Sequence, residues 1–401
     1  MHVLIVSDAY LPSRTSVAIL LYELSQTFIE QGVSVDIIVP NPNQEEDLVF
    51  HAHDGCRIIS VKAFRTKDVG YVRRTLSELL NPWLMWRKLK KDQQFIGSKY
   101  SGVIWYSPSI FWGPLIKKLK QQFLCQSYLI LRDIFPDWAL HLGILRKGPT
   151  FFFLKAIERY QYAQANTIGL QSPNNLEYFK KNNPHVKAKL EVLWNWVRPL
   201  SSIPAKPCSI LIKDTILEDR VIFVYTGNIG IAQGLELLLE ILDKFKESPE
   251  IGFLFVGRGS EMNILSEFIR IQKIKNALIV DEIDPFEIPS LLSQCHVGLL
   301  FLDRRHQTHN IPGKFVTYMQ SGLPVLALVN PGNDLLELIP GYRIGAVDTG
   351  ADLTGLIAKI KALFENERER NEMRSRSKIL ASDLFSSQLA AESIIKGLLN
   401  N

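Results

Sequence analysis

Cysteine is scarce in this chain. Its 401 residues include only four, Cys56, Cys125, Cys208 and Cys295. They lie far apart and form no CxxC pair, which argues against a disulfide scaffold or a structural zinc site and fits a reducing compartment. No stretch approaches the roughly 18 uninterrupted apolar residues of a membrane-spanning helix. The opening "MHVLIVSDAY" has no basic leader before its apolar run, so it reads as a first buried strand rather than a signal peptide. Neither G-x-G-x-x-G nor the P-loop GK[ST] is found at the glycine-rich turn discussed below. No DxD-like carboxylate pair stands in a donor loop, and His306 and His309 have no third ligand beside them, so no metal is expected. Zinc-finger and RNP patterns are missing too, no GXXG loop is flanked by a suitable pattern, and nucleic acid is not an expected partner.

What is present describes a folded globular chain, with 46% hydrophobic and 22% charged residues. Its length suits two domains. Charge is unevenly spread. Residues 1–200 hold 25 Lys/Arg against 16 Asp/Glu, a net of +9, and the remainder holds 21 against 25, a net of −4. The first half therefore faces something anionic.

The apolar pattern alternates between buried strands and amphipathic helices. "HVLIVS" is a strand buried on both faces. A helix over roughly Ser16–Gln31 follows, then "VSVDIIVP". "RIISV", "GVIWY", "SYLILR", "NTIGLQ" and "LEVLW" supply further strands. The rhythm restarts at "VIFVYTG" from Val221 and continues through "IGFLFVG", "ALIVD", "VGLLFL" and "PVLALV". The expected fold is α/β, with two doubly wound parallel-sheet domains facing across a cleft. The expected boundaries are 1–200, 201–380 and a terminal helix over 381–401 that returns to the first domain. "RPLSSIPAKP", 198–207, is the expected linker.

Ligands of such sheets bind beyond the carboxyl ends of the strands. In "YTGNIGIAQGLELLLE", Gly227, Gly230 and Gly234 lie between a strand and a helix start, where free N–H groups and a partial positive charge suit a phosphate. A tight turn without ligand is the alternative. Arg258, between Gly257 and Gly259, is either a phosphate partner or a solvated turn residue. In "NIPGKFVTYMQSGLPVLAL", Pro312 and Gly313 shape a helix entry and Lys314 sits near its start. A helix start repels a cation, so a lysine there implies a shared anion unless it turns outward. In the first half, Arg132, Asp133 and Asp137 follow a buried strand. The two carboxylates either orient a hydroxyl in the cleft or cap a helix. His141 is a possible base or a packed helix residue. The loop "SDAYLPSRTSV" offers Ser13, Arg14, Thr15 and Ser16 to an acceptor. Nine Lys/Arg stand between Arg65 and Lys99 with Trp83 and Trp86 among them, and "FWGPLIKKLKQQF" and "GPTFFFLKAIERY" are similarly mixed. Such a mixture suits an anionic lipid surface, here expected over 65–128; ordinary half-buried helices are the alternative.

These motifs resemble those of the retaining family 4 glycosyltransferases, in the branch of bacterial O-antigen and capsule fucosamine and amino-sugar transferases. "GNIGxAQGL" resembles this branch's phosphate loop, and Asn228 and Gln233 replace the Arg and Lys of most relatives. Pro312, Gly313, Lys314 and Tyr318 match "P-S/G-K-x-x-x-Y", and "NDLLELI" before "IGAV" matches the "ELI…G" segment with Glu337. Ser172-Pro173 opens a helix similar to the family's, and Asn195 stands in its "PNGVD" place. The paired glycines of "PxxGG" are absent after Pro12, and His309 and Thr317 occupy the places of the E-x7-E glutamates.

The resemblance implies a GT-B fold of two Rossmann-like domains, the first taking the acceptor and the second a nucleotide-sugar. It implies transfer from a UDP-sugar, with no cofactor or metal, to a polyprenyl-diphosphate-linked saccharide, at the cytoplasmic face of the inner membrane. The implied donor residues are Gly227, Asn228, Gly230, Gln233, Arg258, Pro312, Gly313, Lys314, Thr317 and Glu337. Arg14, Thr15, Ser16, Arg132 and Asp137 would serve the acceptor, and Asp133, Arg258 and Lys314 the chemistry. A UDP-sugar 2-epimerase, or a non-catalytic nucleotide-sugar binder or scaffold, are the alternatives.

Overall fold

A computed structural model describes residues 1–203, 206–350 and 352–399. Pro204 and Ala205 of the expected linker, Ala351 of the second domain, and Asn400 and Asn401 of the terminal segment lie outside the described residues. The chain divides into two compact units, Met1–Trp194 with Ser387–Asn401, and Asn195–Ser386.

The first unit runs β1 (His2–Val6), α1 (Ser16–Glu30), β2 (Ser34–Asn41), β3 (Leu48–His53), β4 (Cys56–Lys62), α2 (Tyr71–Leu89), α3 (Gln93–Ile96), β5 (Gly102–Tyr106), α4 (Gly113–Phe123), β6 (Gln126–Ile130), α5 (Asp137–His141), α6 (Pro149–Tyr162), β7 (Thr167–Leu170), α7 (Pro173–Asn182) and β8 (Lys189–Val192). Its sheet order is β3-β4-β2-β1-β5-β6-β7-β8. All pairs are parallel except the β3–β4 hairpin. β3 was not expected. Its "LVFHAH" is half-exposed at the sheet edge, and only its turn at Asp54-Gly55, both at positive φ, marks it. β1 is central because Val3, Leu4, Ile5 and Val6 are wholly buried, as a parallel strand covered on both faces requires.

The second unit runs β9 (Val221–Thr226), α8 (Leu235–Phe245), β10 (Ile251–Val256), α9 (Met262–Ile271), β11 (Ala277–Val280), α10 (Ile288–Leu292), β12 (Val297–Phe301), α11 (Gly313–Ser321), β13 (Val325–Leu328), α12 (Leu335–Tyr342), β14 (Gly345–Asp348), α13 (Leu353–Glu365) and α14 (Glu367–Leu384). The sheet is parallel throughout, in the order β11-β10-β9-β12-β13-β14. Phe223, Phe253, Val297 and Leu326 fill its core with the inner faces of α8 and α13.

The terminal helix α15 (Ser387–Leu399) belongs to the first unit. It packs on α1, β6 and β7. Thr27 Oγ1 donates to Ser387 Oγ at 2.8 Å, and Thr167 Oγ1 to the Gly397 carbonyl at 3.2 Å. Gly397 lets the helix approach, since a Cβ there would stand 2.6 Å from the Tyr128 ring.

Candidate functional site

Strand order reverses next to β9: β10 lies on one side of it and β12 on the other. Such a reversal opens a crevice at the carboxyl ends of the strands. Here β9 and β12 pair only through Val297↔Phe223 and Gly298↔Val224. Beyond that point the phenol of Tyr318, from α11, enters between them. Its oxygen accepts from the Thr226 N–H at 3.1 Å and lies 3.2 and 3.3 Å from the carbonyls of Leu299 and Val224. The ring occupies the space left by Gly298, where a Cβ would stand 2.5 Å from it. Tyr318 thus ties the first turns of α11 to the crevice, and Lys314 is one helical turn before it.

The Lys314 segment and the glycine loop meet there. Gly227 follows β9 at φ +102°, and the position of its absent Cβ is 4.0 Å from Lys314 Cε. Lys314 Nζ lies 3.3 Å from the centroid of the Tyr225 ring. The nitrogen is buried and has no hydrogen-bond partner among the described residues. Burial alone holds the ammonium well below its ordinary pKa. A buried donor without a partner is rare in a folded protein and costs stability unless a ligand completes it. Tyr225, which carries the cation, also donates to the Asn228 carbonyl at 2.7 Å. The aromatic residue thus shapes the loop as well as facing the lysine. The tyrosine preceding Thr-Gly at a strand end was the signal that sequence reasoning passed over.

Several expected donor residues have other duties. Gln233 Oε1 accepts from the Gly230 N–H at 2.8 Å, so its side-chain carbonyl closes the loop. Gly257 and Gly259 serve backbone packing: a Cβ on either would stand 2.0 or 1.9 Å from the Gly227 or Ile229 carbonyl oxygen. The Ile229 N–H donates to the Arg258 carbonyl at 2.9 Å, which brings that segment beside the glycine loop. The Arg258 guanidinium is exposed and paired with Glu282 at 3.0 Å. Asn228 and Gly227 are exposed, Gly313 has open space where a Cβ would be, and Pro312 is the N-cap of α11. Thr317 Oγ1 turns back to the Gly313 carbonyl at 3.4 Å, and Glu337 is exposed in the first turn of α12. His309, at φ +54°, meets Asn330 Nδ2 through Nδ1 at 3.1 Å. Among the described residues no cluster of His, Cys, Asp or Glu is arranged to hold a metal.

In the first unit, Arg132 and Asp137 both have partners within the protein. Arg132 is buried and donates to the Leu193 and Trp194 carbonyls at 2.6 and 3.2 Å, pinning the end of β6 to the segment after β8. Burial lowers its pKa. Asp137 is buried against Lys155 at 3.1 Å, and Lys155 also binds the fully buried Glu158. Burial pushes the Glu158 carboxyl up to about 7, with Lys155 opposing. His141 is a packed helix residue, 3.4 Å from the Tyr178 hydroxyl. Thr15 caps α1, accepting from the Ala18 N–H at 3.4 Å, while Arg14 and Ser16 are exposed beside it. Asp133 is half-buried at the end of β6, its carbonyl 3.3 Å from Ser107 Oγ.

The basic, aromatic region also sorts into two. On α2, Val72, Leu76, Leu80 and Trp83 are exposed at spacings of four, four and three residues, one stripe of the helix. Arg73 and Arg87 are exposed on the same side. Trp86, expected to join them, packs on the core, as do Leu115, Ile116 and Leu119 of α4. Phe152 and Phe153 on α6 are exposed. No helix among the described residues is long and apolar enough to cross a membrane.

Residues 220–366 match the family model described as glycosyl transferases group 1. The probable glycosyltransferase WbjE of Pseudomonas aeruginosa is 21% identical over 219 residues, 54% of this chain, and the match spans about half (54%) of WbjE itself. The putative colanic acid biosynthesis glycosyl transferase WcaI of Escherichia coli strain K12 is 21% identical over 367 residues, covering 86% of this chain and 88% of WcaI. Sucrose-phosphate synthase from Thermosynechococcus elongatus superposes with a TM-score of 0.75 at 14% identity, covering 98% of this chain and 97% of that one. The chain thus has the GT-B fold of two Rossmann-like domains and is similar, over most of its second unit, to the glycosyl transferases of group 1.

Proposed function

We propose that this protein is a retaining, metal-independent glycosyltransferase. It moves a sugar, a hexose or an N-acetylated deoxyamino sugar, from a UDP-sugar to a polyprenyl-diphosphate-linked saccharide in surface-polysaccharide synthesis. The observation that carries the reading is the Lys314 ammonium, buried and unpartnered beside Gly227 at the crossing of β9 and β12. A diphosphate is the ligand that would complete it, because its oxygens accept from both an ammonium and loop N–H groups. The group 1 match over 220–366 and the similarity to WbjE and WcaI support the same chemistry.

In this reading the bond between the anomeric carbon and the β-phosphate oxygen breaks, and its electron pair stays on the phosphate. Lys314 and the start of the glycine-loop helix stabilise that charge as it grows, and one well-aimed donor of this kind is worth about 10²–10³-fold in turnover. The acceptor hydroxyl adds to the anomeric carbon on the same face and gives its proton to the departing phosphate, so no protein nucleophile is required. Asp133 steadies the acceptor or the developing sugar cation. Arg258 reaches the phosphates only by leaving Glu282. The exposed stripe of α2, with Arg73 and Arg87, rests on the anionic cytoplasmic face of the inner membrane.

The test is a thermal-shift screen of UDP and UDP-sugars on the full chain, since a ligand of the folded state raises the melting temperature by mass action. UDP is expected to stabilise the protein without divalent metal. No stabilisation by any nucleotide-sugar would refute the donor assignment, and conversion of a UDP-sugar to its 2-epimer without acceptor would replace transfer by epimerisation.

A further inference from the structure

The second unit has another opening, at the amino ends of the strands whose carboxyl ends form the donor crevice. A cavity of about 680 Å³ lies there. Its walls are the segment ahead of β9, Gln294 and His296 ahead of β12, and the first turns of α14. All of them belong to Asn195–Ser386. Ile222, which also lines the cavity, precedes Gly227 by five residues of β9 and the turn after it, about 16 Å along a strand. One phosphate group cannot serve both places.

Three fixed donors line this cavity. Arg370 is 7% exposed, and its Nη1 donates to the carbonyls of Leu363, at 2.7 Å, and Phe364. Arg374 Nη2 donates to the Cys295 carbonyl at 2.6 Å, which sets the guanidinium beside His296. Backbone carbonyls therefore hold both groups, and their other nitrogens have no hydrogen-bond partner among the described residues. His296 exchanges two bonds with Ile222: its N–H donates to the carbonyl at 3.0 Å, and its Nδ1 accepts from the N–H at 3.0 Å. The neutral ring thus carries its proton on Nε2.

The positive charge is poorly compensated. Arg370 and Arg374 are one helical turn apart, on one face of α14, where like charges repel. Arg370 also stands in the first turn of that helix, where the dipole disfavours a cation. Burial lowers its pKa, with Glu367 opposing and Arg374 adding. Burial also holds the His296 imidazole down to about 4, with Arg374 and Arg370 adding and Glu367 opposing. Glu218, Asp219 and Glu367 line the cavity too, but they are exposed, and water and salt screen them.

We propose that this cavity binds a small molecule through its phosphate group, with Arg370, Arg374 and His296 on the phosphate oxygens, as a site separate from the donor crevice. A phosphate accepts side by side from two guanidinium forks and keeps an oxygen for the imidazole N–H. Its charge relieves the repulsion within α14. Pockets for small organic ligands run from about 300 to 1,000 Å³, so this one has room for more than the phosphate. The exposed carboxylates and Asn371 suit hydroxyl groups on that remainder. None of this rests on the transferase reading.

The experiment is an NMR titration of the full chain labelled with ¹⁵N-histidine, the His296 signals being assigned with His296→Gln. Inorganic phosphate, pyrophosphate and glucose 1-phosphate are added at millimolar concentration, with sodium chloride holding the ionic strength constant. The His296 signals should move with the phosphates and not with chloride alone. A tighter response to glucose 1-phosphate than to inorganic phosphate would identify a phosphorylated metabolite as the ligand; the reverse order would identify the free ion and overturn the organic remainder. Arg374→Met should weaken binding about ten- to a hundredfold, the loss of a hydrogen bond between charged groups. Lys314→Met should respond as the wild type does. The proposal is overturned if no phosphate moves the His296 signals, or if Arg374→Met binds as tightly as the wild type. Loss of the response in Lys314→Met would put the anion in the donor crevice and overturn it equally. Should Arg374→Met not fold, charge reversal at the exposed Lys213 in the cavity wall decides: Lys213→Glu should weaken binding about two- to fivefold, the worth of an exposed ion contact, and undiminished binding would refute the site.

Discussion

Replacing Lys314 by methionine keeps the length of the stem and removes the ammonium, which separates the lysine's cost to folding from its use in binding. In the free protein Nζ is buried, lacks a hydrogen-bond partner and rests on the Tyr225 ring at 3.3 Å. An unsatisfied buried donor costs about 1–3 kcal/mol, more when charged. A desolvated cation–π contact returns about 2 kcal/mol. The lowered pKa says that burial wins. With the charged donor costing about 3–4 kcal/mol against that return, a net penalty of about 1–2 kcal/mol should disappear in Lys314→Met. For a unit of the size of Asn195–Ser386, each kcal/mol is about 2–4 °C. The expected rise in the melting temperature of the free protein is about 2–8 °C at pH 7. The difference should narrow as pH rises, because a lysine with a depressed folded pKa destabilises the fold while the unfolded chain holds the proton, and that linkage ends above the unfolded value. Binding should change in the opposite sense. Loss of a charge-assisted contact to a diphosphate, about 1.5–3 kcal/mol, is about a ten- to a hundredfold rise in Kd for UDP. Thermal melts with and without UDP, backed by calorimetric titration, read both effects. A variant that melts lower than the wild type in the absence of ligand, or binds UDP with undiminished affinity, would refute the reasoning.

Three further perturbations address other links. Gly298→Ala places a methyl group 2.5 Å from the Tyr318 ring, and overpacking of this kind should cost about 1–3 kcal/mol in urea unfolding; a neutral result would show that the ring is free to shift. Polar replacement of Leu76, Leu80 and Trp83 together, all exposed, should abolish sedimentation with phosphatidylglycerol vesicles without lowering the melting temperature, and equal sedimentation would dismiss the α2 stripe as a lipid contact. His296 accepts from the Ile222 N–H at 3.0 Å through Nδ1 and is held down to about 4 by burial, with Arg374 and Arg370 adding. The unfolded chain binds that proton first, so stability is complete above about pH 6.5 and is lost as pH falls towards 4, by about 2–3 kcal/mol. Urea midpoints across that range should show the slope in the wild type and a shallower one in His296→Gln; identical slopes would remove His296 from the acid response.

The alternating apolar runs and glycine stops were enough to read two parallel α/β units, because a strand buried on both faces must be apolar throughout and a helix covering it must be so on one side. "GVIWY" became β5 over the same residues. The Gly227 loop and Lys314 were likewise legible, since glycine after a strand and a cation at a helix start are local anomalies. The β3 edge strand was not, its half-exposed residues carrying no period. Nor could local sequence say what a polar side chain would face. Arg132 and Asp137 looked as available as Asp133, but two carbonyls and Lys155 take them. Thr226 and Tyr318 are 92 positions apart in sequence, and they meet only once β9 and β12 are neighbours in the sheet. Composition and periodicity thus determined which elements form. Which polar groups are paired and which are left open for a ligand was decided by the packing of distant segments, because burial and hydrogen bonding depend on neighbours in space.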